Sequence, residues 1–370
     1  MRTLLFFLHK YTGLTLGLLL VISGLTGSLL VFHDTLDEHL TPGLITHGEN
    51  LAPLSTVISN AEAATGKTAQ RIDLSRQPGS PHTLRFANDA DAPGPLQVSV
   101  SPYSGNVLAV RDWGLYPMTW VYRLHYTLLA GSNGKIVVGI LGLCLLGFCL
   151  TGLVLWWPTG KRKGKWQRNL TIKRGAGRYR LHFDLHQVTG IYLLPVLIVI
   201  AFSGVSLVFG KQVSVLVGSA LTMQERPSPF SNPTDSAPLT ADEAFALAQS
   251  RFPEATIQRL YLPKAPTDTY RAAFSLPEDA WQDYGANNLW LDQYSGETLA
   301  LWQISQLPEG NQFMTWQFPL HNGDALGLPG RLIVLFSGFA PLLFFITGSY
   351  LWWTKRQLKR KAIQRRKPRT

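Results

Sequence analysis

The chain has 370 residues, 46% of them hydrophobic, and a net charge of +11 from 34 Lys and Arg against 23 Asp and Glu. The basic excess sits in two short segments beside apolar runs, which is a membrane-orientation pattern and argues against a nucleic-acid partner. The only cysteines, Cys144 and Cys149, lie five apart in one apolar run and face different directions on a helix, so no disulfide or metal site is expected from them.

Four apolar runs, 4–32, 136–157, 187–209 and 332–353, each reach the roughly 20 residues needed to cross a hydrocarbon core of roughly 30 Å. Their middles carry no Asp, Glu, Lys or Arg and show no polar face. The first run is longer than the apolar core of a signal peptide, lacks a small-x-small cleavage site and has a partner inside the chain, so it is expected to be retained as a helix.

Between the first two runs, a helical stretch at 55–65, a loop at 78–95 and a hairpin at 98–110 outline a small α+β domain. Trp156 and Trp157 close the second run. After it come Lys161, Arg162, Lys163, Lys165, Arg168, Lys173, Arg174, Arg178 and Arg180 with no acid among them. The second external segment repeats the plan: a Pro-rich connector at 226–238, a helix at 240–252 opened by a Thr240/Glu243 capping box, strands at 256–261 and 269–274, and a hairpin at 289–301. Trp352 and Trp353 close the fourth run, and Lys355, Arg356, Lys359, Arg360, Lys361, Arg365, Arg366, Lys367 and Arg369 follow. The basic loop and tail place both termini and the middle loop in the cytoplasm and the two long segments outside, with the tryptophans at the cytoplasmic interface.

The chain repeats itself. Leu8-His9-Lys10-Tyr11-Thr12-Gly13 matches Leu185-His186-Gln187-Val188-Thr189-Gly190 at an offset of 177, which persists at Gly27 and Gly204. His125 matches His321 at an offset of 196, which persists through Thr151-Gly152 on Thr347-Gly348 and Trp156-Trp157 on Trp352-Trp353. The expected fold is therefore membrane α-helical, with four transmembrane helices in two tandem helix–external α+β domain–helix repeats. It divides as helix 4–32, external domain 33–130, helix 135–157, basic loop 158–181, helix 182–210, external domain 211–326, helix 331–353 and basic tail 354–370. Internal repeats of this kind place shared sites between the halves.

These residues resemble a known family. Leu-His-x-x-Thr-Gly on paired membrane helices, an external domain ending in a Tyr-Ser-Gly hairpin, and Leu-His before a Thr-Gly-x-x-x-Trp-Trp helix look like the PepSY-associated transmembrane family, and within it the FoxB-type inner-membrane reductases of siderophore-iron uptake. The resemblance covers nearly the whole chain. It implies two small PepSY-like periplasmic domains, a bacterial inner-membrane location, b-type haem and electron transfer across the membrane.

Imidazole is a strong axial ligand of haem iron. His9 and His33 are 24 residues apart, about 36 Å along a helix, and cannot share an iron. Symmetry pairs His9 with His186 on a cytoplasmic-side haem and His125 with His321 on a periplasmic-side haem. Gly13 and Gly190, four residues after a ligand on the same face, leave room for a flat macrocycle. His182, one turn before His186, and His33, at the outer edge, are the alternative ligands, while His39, His47 and His82 are expected at the surface. The glycines at 131 and 134 and at 327 and 330 allow a bend that folds His125 and His321 over the bundle. A histidine at a helix end is otherwise an interfacial anchor, a role that does not explain its duplication.

No Cys-x-x-Cys-His is present, so the two expected b haems are held non-covalently, and no nucleotide or flavin fingerprint is visible, so the electron donor is another molecule on the cytoplasmic side or in the membrane. Arg178 and Arg180 are placed to meet that donor or haem propionates, or simply to set topology. The family likeness makes the acceptor a periplasmic ferric siderophore, whose iron is released on reduction to Fe(II), docking on aromatic surface from Trp113, Tyr116, Trp120, Trp302 and Trp316. The competing readings are a siderophore permease, which calls for mid-membrane ionisable groups that the sequence lacks, and a binding or regulatory protein without redox activity, which leaves the matched histidines unexplained.

Overall fold

The computed structural model describes residues 1–159, 166–279, 281–283 and 285–366, the side chains of 365 and 366 apart. Of the basic loop and tail, Lys161, Arg162, Lys163, Lys165, Lys367, Arg369 and the side chains of Arg365 and Arg366 lie outside the described residues.

The elements, in chain order, begin with α1 (Arg2–Leu30), α2 (His33–Leu40) and α3 (Leu54–Thr65). Four strands follow, β1 (Arg71–Asp73), β2 (His82–Arg85), β3 (Leu96–Val100) and β4 (Val107–Asp112), then α4 (Pro117–Thr127) and α5 (Gly131–Trp156). The second half has α6 (Arg178–Val208), α7 (Gly210–Gly218) and α8 (Ala241–Arg251), the strands β5 (Thr256–Tyr261), β6 (Thr269–Ser275), β7 (Asn287–Asp292) and β8 (Thr298–Trp302), and α9 (Glu309–Asn322), α10 (Gly327–Ser337) and α11 (Ala340–Arg366).

Among the described residues, four stretches are long and apolar enough to cross a membrane: Arg2–Leu30, Gly131–Trp156, Arg178–Val208 and Asp324–Gln364. The corresponding helices pack in a ring, α1 on α5, α5 on α6, α6 on α11 and α11 on α1. The fourth is not the single helix expected at 331–353, because it breaks between α10 and α11. The Phe339 amide turns to the carbonyl of Phe336, 3.2 Å away, so the Leu335 carbonyl loses its helical partner and accepts instead from the Ser28 hydroxyl of α1 at 2.7 Å. Gly338 makes the crossing possible, since a Cβ there would collide with the Ser28 side chain and the Gly24 carbonyl.

The two segments between the membrane helices, expected as two domains, are joined. Their strands make one antiparallel sheet in the order β4-β3-β2-β1-β5-β6-β7-β8. The seam pairs Ile72 of β1 with Leu260 of β5, both fully buried in a core shared by α3 and α8. The physical reason is the shortness of β1. Three residues cannot protect a sheet edge, and pairing with β5 satisfies the open backbone groups while joining two apolar faces. The helices are tied across the seam as well, because Asp242 of α8 accepts from the first amides of α3, Leu54 at 2.6 Å and Ser55 at 2.9 Å. These hydrogen bonds hold its carboxyl below the ordinary range against the opposing effect of burial. The Thr240/Glu243 capping box opens α8 as the sequence indicates.

Two local expectations fail. The stretch 78–95 is not all loop, since β2 falls within it. His82 is not at the surface: β2 alternates, turning His82 and Leu84 inward, and the imidazole, 5% exposed, accepts the Ser75 amide at 2.9 Å.

Candidate functional site

The ring of membrane helices brings the matched histidines together in pairs. His9 of α1 and His186 of α6 have ring centres 6.3 Å apart, and His125 of α4 and His321 of α9 have ring centres 6.2 Å apart. Each outer histidine reaches its partner because α4 and α9 fold back over the bundle. The C-terminus of α4 lies so close to α5 that a Cβ on Gly134 would strike the Thr127 carbonyl, and Gly330 stands in the same relation to Gly323. The turn out of α4 also uses left-handed backbone at Leu128 and Leu129, ahead of Gly131.

One nitrogen of every ring is committed. His9 Nδ1 lies 2.9 Å from the Thr151 hydroxyl, and His186 Nδ1 lies 2.8 Å from the Thr347 hydroxyl. Both hydroxyls already donate to backbone, to Gly147 at 2.6 Å and Leu343 at 2.7 Å, so each accepts from the imidazole. His125 Nδ1 donates to the Ser23 carbonyl at 2.9 Å and His321 Nδ1 to the Ile200 carbonyl at 3.0 Å, with Thr26 and Ser203 beside them at 3.2 and 3.1 Å. In the neutral form all four rings therefore carry their proton on Nδ1 and keep the Nε2 lone pair, which has no hydrogen-bond partner among the described residues. This is the tautomer that a metal-binding imidazole adopts when a neighbour fixes its other nitrogen.

Each contact recurs at the sequence offsets already noted. Phe148 packs against His9 and Phe344 against His186, both with ring centres 5.2 Å apart. Gly152 and Gly348 leave 3.6 and 3.7 Å between a built Cβ and the inner rings, while Gly27 and Gly204 leave only 3.0 Å to the outer ones. Along α1 the inner histidine is 14 to 17 residues from the Ser23 and Thr26 that hold the outer one, and the α6 spacing from His186 to Ile200 and Ser203 is the same. At about 1.5 Å per residue the two pairs stand roughly 21–26 Å apart along the bundle.

A cavity of about 670 Å³ opens beside the inner pair, lined by His9, His186, Gly13, Gly190, Phe148 and Phe344. That lies within the roughly 300–1,000 Å³ typical of cofactor sites. A Cβ on Gly190 would meet nothing within 4 Å and one on Gly13 only Phe148 at 3.9 Å, so both glycines border open space. Arg2, Lys10 and Lys355 also line this cavity.

A family model, the PepSY-associated TM region, matches residues 6–355. The chain belongs to this family. A segment of 103 residues is also 29% identical to the uncharacterized protein PA4219 of Pseudomonas aeruginosa strain PAO1, a match that takes in 28% of this chain and 25% of that relative's length.

The other candidates in this PepSY-associated chain lie apart from the two pairs. His33 Nδ1 is 2.8 Å from Asp34, which also binds Arg76 at 2.8 Å. Burial alone would raise the Asp34 carboxyl, but His33, Arg76 and Arg331 hold it well below the ordinary range. His182 stacks on Tyr350 with ring centres 4.0 Å apart, and its buried Nδ1 has no hydrogen-bond partner among the described residues. Arg180 is taken by Asp184 at 2.9 Å, and neither it nor Arg178 lines the cavity. Of the five aromatic residues expected to share one docking surface, Trp120 and Trp316 are exposed, whereas Trp302 is buried against Trp290 and Leu307 and Tyr116 bonds Gln97 at 2.6 Å beneath Arg111. Burial pushes the Tyr116 hydroxyl up to about 12.

Thr151, Thr347, Gly27 and Gly204 are the site residues that sequence reasoning left without a role. Their signal was present, since each is one member of a matched pair. What the sequence lacks is the packing that turns them toward the histidines.

Proposed function

We propose that this protein is a di-haem, b-type inner-membrane reductase that passes electrons from a cytoplasmic-side or membrane donor to a periplasmic acceptor, a ferric siderophore, and so releases iron as Fe(II). One observation carries the reading: four imidazoles in two close pairs, each pinned through Nδ1 with Nε2 free of hydrogen bonds among the described residues. Two imidazoles about 1.2 Å in radius, each with a metal bond of about 2.0 Å, would need ring centres roughly 6.4 Å apart to hold one iron between them. The observed 6.3 and 6.2 Å fit two axial pairs.

His9 and His186 would hold the cytoplasmic-side haem, and His125 and His321 the periplasmic-side haem. Bound haem supplies a one-electron carrier whose potential follows ligand identity, hydrogen bonding and burial. The chain contributes the rest. Thr151 and Thr347 fix the inner rings, backbone carbonyls fix the outer ones, glycines clear the space, and Arg2, Lys10 and Lys355 offer charge to carboxylates at the cavity. Two sites, roughly 21–26 Å apart, divide a hydrocarbon core of roughly 30 Å into shorter transfers. The basic segments 158–181 and 354–370 orient the chain with the sheet in the periplasm, and a duplicated gene accounts for the matched halves.

The deciding experiment is a pyridine haemochrome assay on protein from porphyrin-replete cells, with an expected value of about two haems per chain. Colourless folded protein ends the proposal. His186→Ala is expected to halve the haem content and spare the outer spectrum, whereas His321→Ala leaves the inner haem reducible but stops reduction of an external ferric acceptor.

A further inference from the structure

The face of the sheet turned away from α3 and α8 carries an unusual row. Strand register aligns Arg85 of β2, Arg71 of β1, Tyr261 of β5, Arg271 of β6 and Trp290 of β7 side by side. Arg85 and Arg71 are directly opposed, an arrangement of like charges that costs stability unless something offsets it. Asp73 offsets part, binding Arg71 and Arg259 at 2.7 Å and Arg85 at 3.4 Å, so one carboxylate serves three guanidinium groups.

Positive charge is left over at one end. Arg271 lies 3.6 Å above the Tyr261 ring, and Arg226 lies 5.6 Å from the Trp290 ring centre. Neither has a carboxylate partner among the described residues. Together with the two aromatic rings they line an open cleft of about 470 Å³. Asp268 borders the same cleft and offsets one of the two arginine charges; its Oδ2 accepts from the amides of Lys264 at 2.9 Å and Ala265 at 3.0 Å, and one positive charge remains in excess. Stacking on an aromatic ring holds a guanidinium flat while leaving its N–H edge free for a bidentate oxyanion. The cleft thus offers guanidinium faces and N–H edges held against aromatic rings, the complement of an aromatic ring bearing adjacent anionic oxygens.

We propose that this cleft docks an anionic metal chelate through a catecholate or aromatic carboxylate arm, in preference to neutral chelates. The assignment deepens the reductase reading and depends on it only for the metal being ferric iron. It separates two substrate classes that the histidine pairs do not distinguish, because charge at the docking surface sets which chelate reaches the outer site.

The test measures binding of gallium(III) tris-catecholate, a trianion, and gallium(III) tris-acetohydroxamate, which is neutral, to the full chain in detergent. The trianion is expected to bind at least about tenfold more tightly, and Arg226→Gln to weaken it by at least about tenfold. Lys264→Gln, adjacent to the cleft, is expected to leave it unchanged. Arg226 is exposed, so its variant should melt with the wild type; Arg271→Gln provides the second removal. Equal affinity for the two chelates, or an unchanged trianion affinity in both arginine variants, overturns the proposal. The gallium probes need no electron transfer: haem-free protein that still selects the trianion keeps the docking site and removes the reductase, and haem-replete protein without selectivity does the reverse.

Discussion

Thr151 accepts the Nδ1 proton of His9 across the α1–α5 contact at 2.9 Å while giving its own hydroxyl proton to Gly147 at 2.6 Å. The hydroxyl thereby selects a tautomer as well as a ring orientation. Thr151→Val keeps the shape and removes the acceptor, so on the proposed haem reading cofactor affinity at the His9–His186 pair should fall by about 10–100-fold. Thr151→Ser, which retains the acceptor, should restore it. Haem titration into apoprotein, with a redox titration of each variant, checks this. An inner site of unchanged affinity and potential in Thr151→Val would mean that the hydroxyl merely joins two helices.

The glycines beside the rings divide into two groups with different expected outcomes. A methyl at Gly27 or Gly204 would sit 3.0 Å from the Cε1 atom of His125 or His321, tight enough to push the ring. Gly27→Ala should therefore broaden or remove the outer-site spectrum. Gly190 borders open space, so Gly190→Val should fold and melt normally but exclude a macrocycle from the inner cavity. Spectra and melting curves together separate these outcomes; a Gly190→Val protein with full cofactor content would place the macrocycle elsewhere.

The pairings were legible in the sequence because duplication marks residues that one copy alone would leave ambiguous. His9 falls on His186 and His125 on His321, and the bundle brings both pairs together. The break at Gly338 was not legible, since it depends on Ser28 more than 300 residues away taking a carbonyl that local patterning assigns to the helix. Nor was the single sheet. A repeat suggests two domains, and nothing in the three residues of β1 says that their partner lies in the other copy. His82 misled for a related reason: its inward turn follows from the register of β2 against β3, which the Pro- and Gly-rich surroundings conceal.

His82 also gives the sheet a pH dependence. Burial pushes its imidazole down to about 4, whereas the unfolded chain titrates near the ordinary value of 6.5. Between those values the unfolded state binds a proton that the folded state refuses, so stability is present in full above pH 6.5 and declines as the pH falls toward 4. A shift of that size corresponds to about 3 kcal/mol. Thermal melts at pH 7 and pH 5 should show the loss, and His82→Gln should flatten the difference. An equal pH dependence in the variant assigns it to other groups.

The seam between β1 and β5 determines how the sheet domain fails. Ile72 and Leu260 face each other there in one core, and α3 is capped from the other half by Asp242. Leu260→Ala should cost about 2–5 kcal/mol by leaving a cavity at a site with no exposed surface to relax into. Its effect should not stop at the second half. Opening β5 leaves β1 as a three-residue edge, so amide exchange should accelerate in β2 and β3 as well as in β6 and β7. Two independent domains would confine the faster exchange to β5–β8, and that pattern, measured by hydrogen–deuterium exchange on the full chain, would contradict the single core.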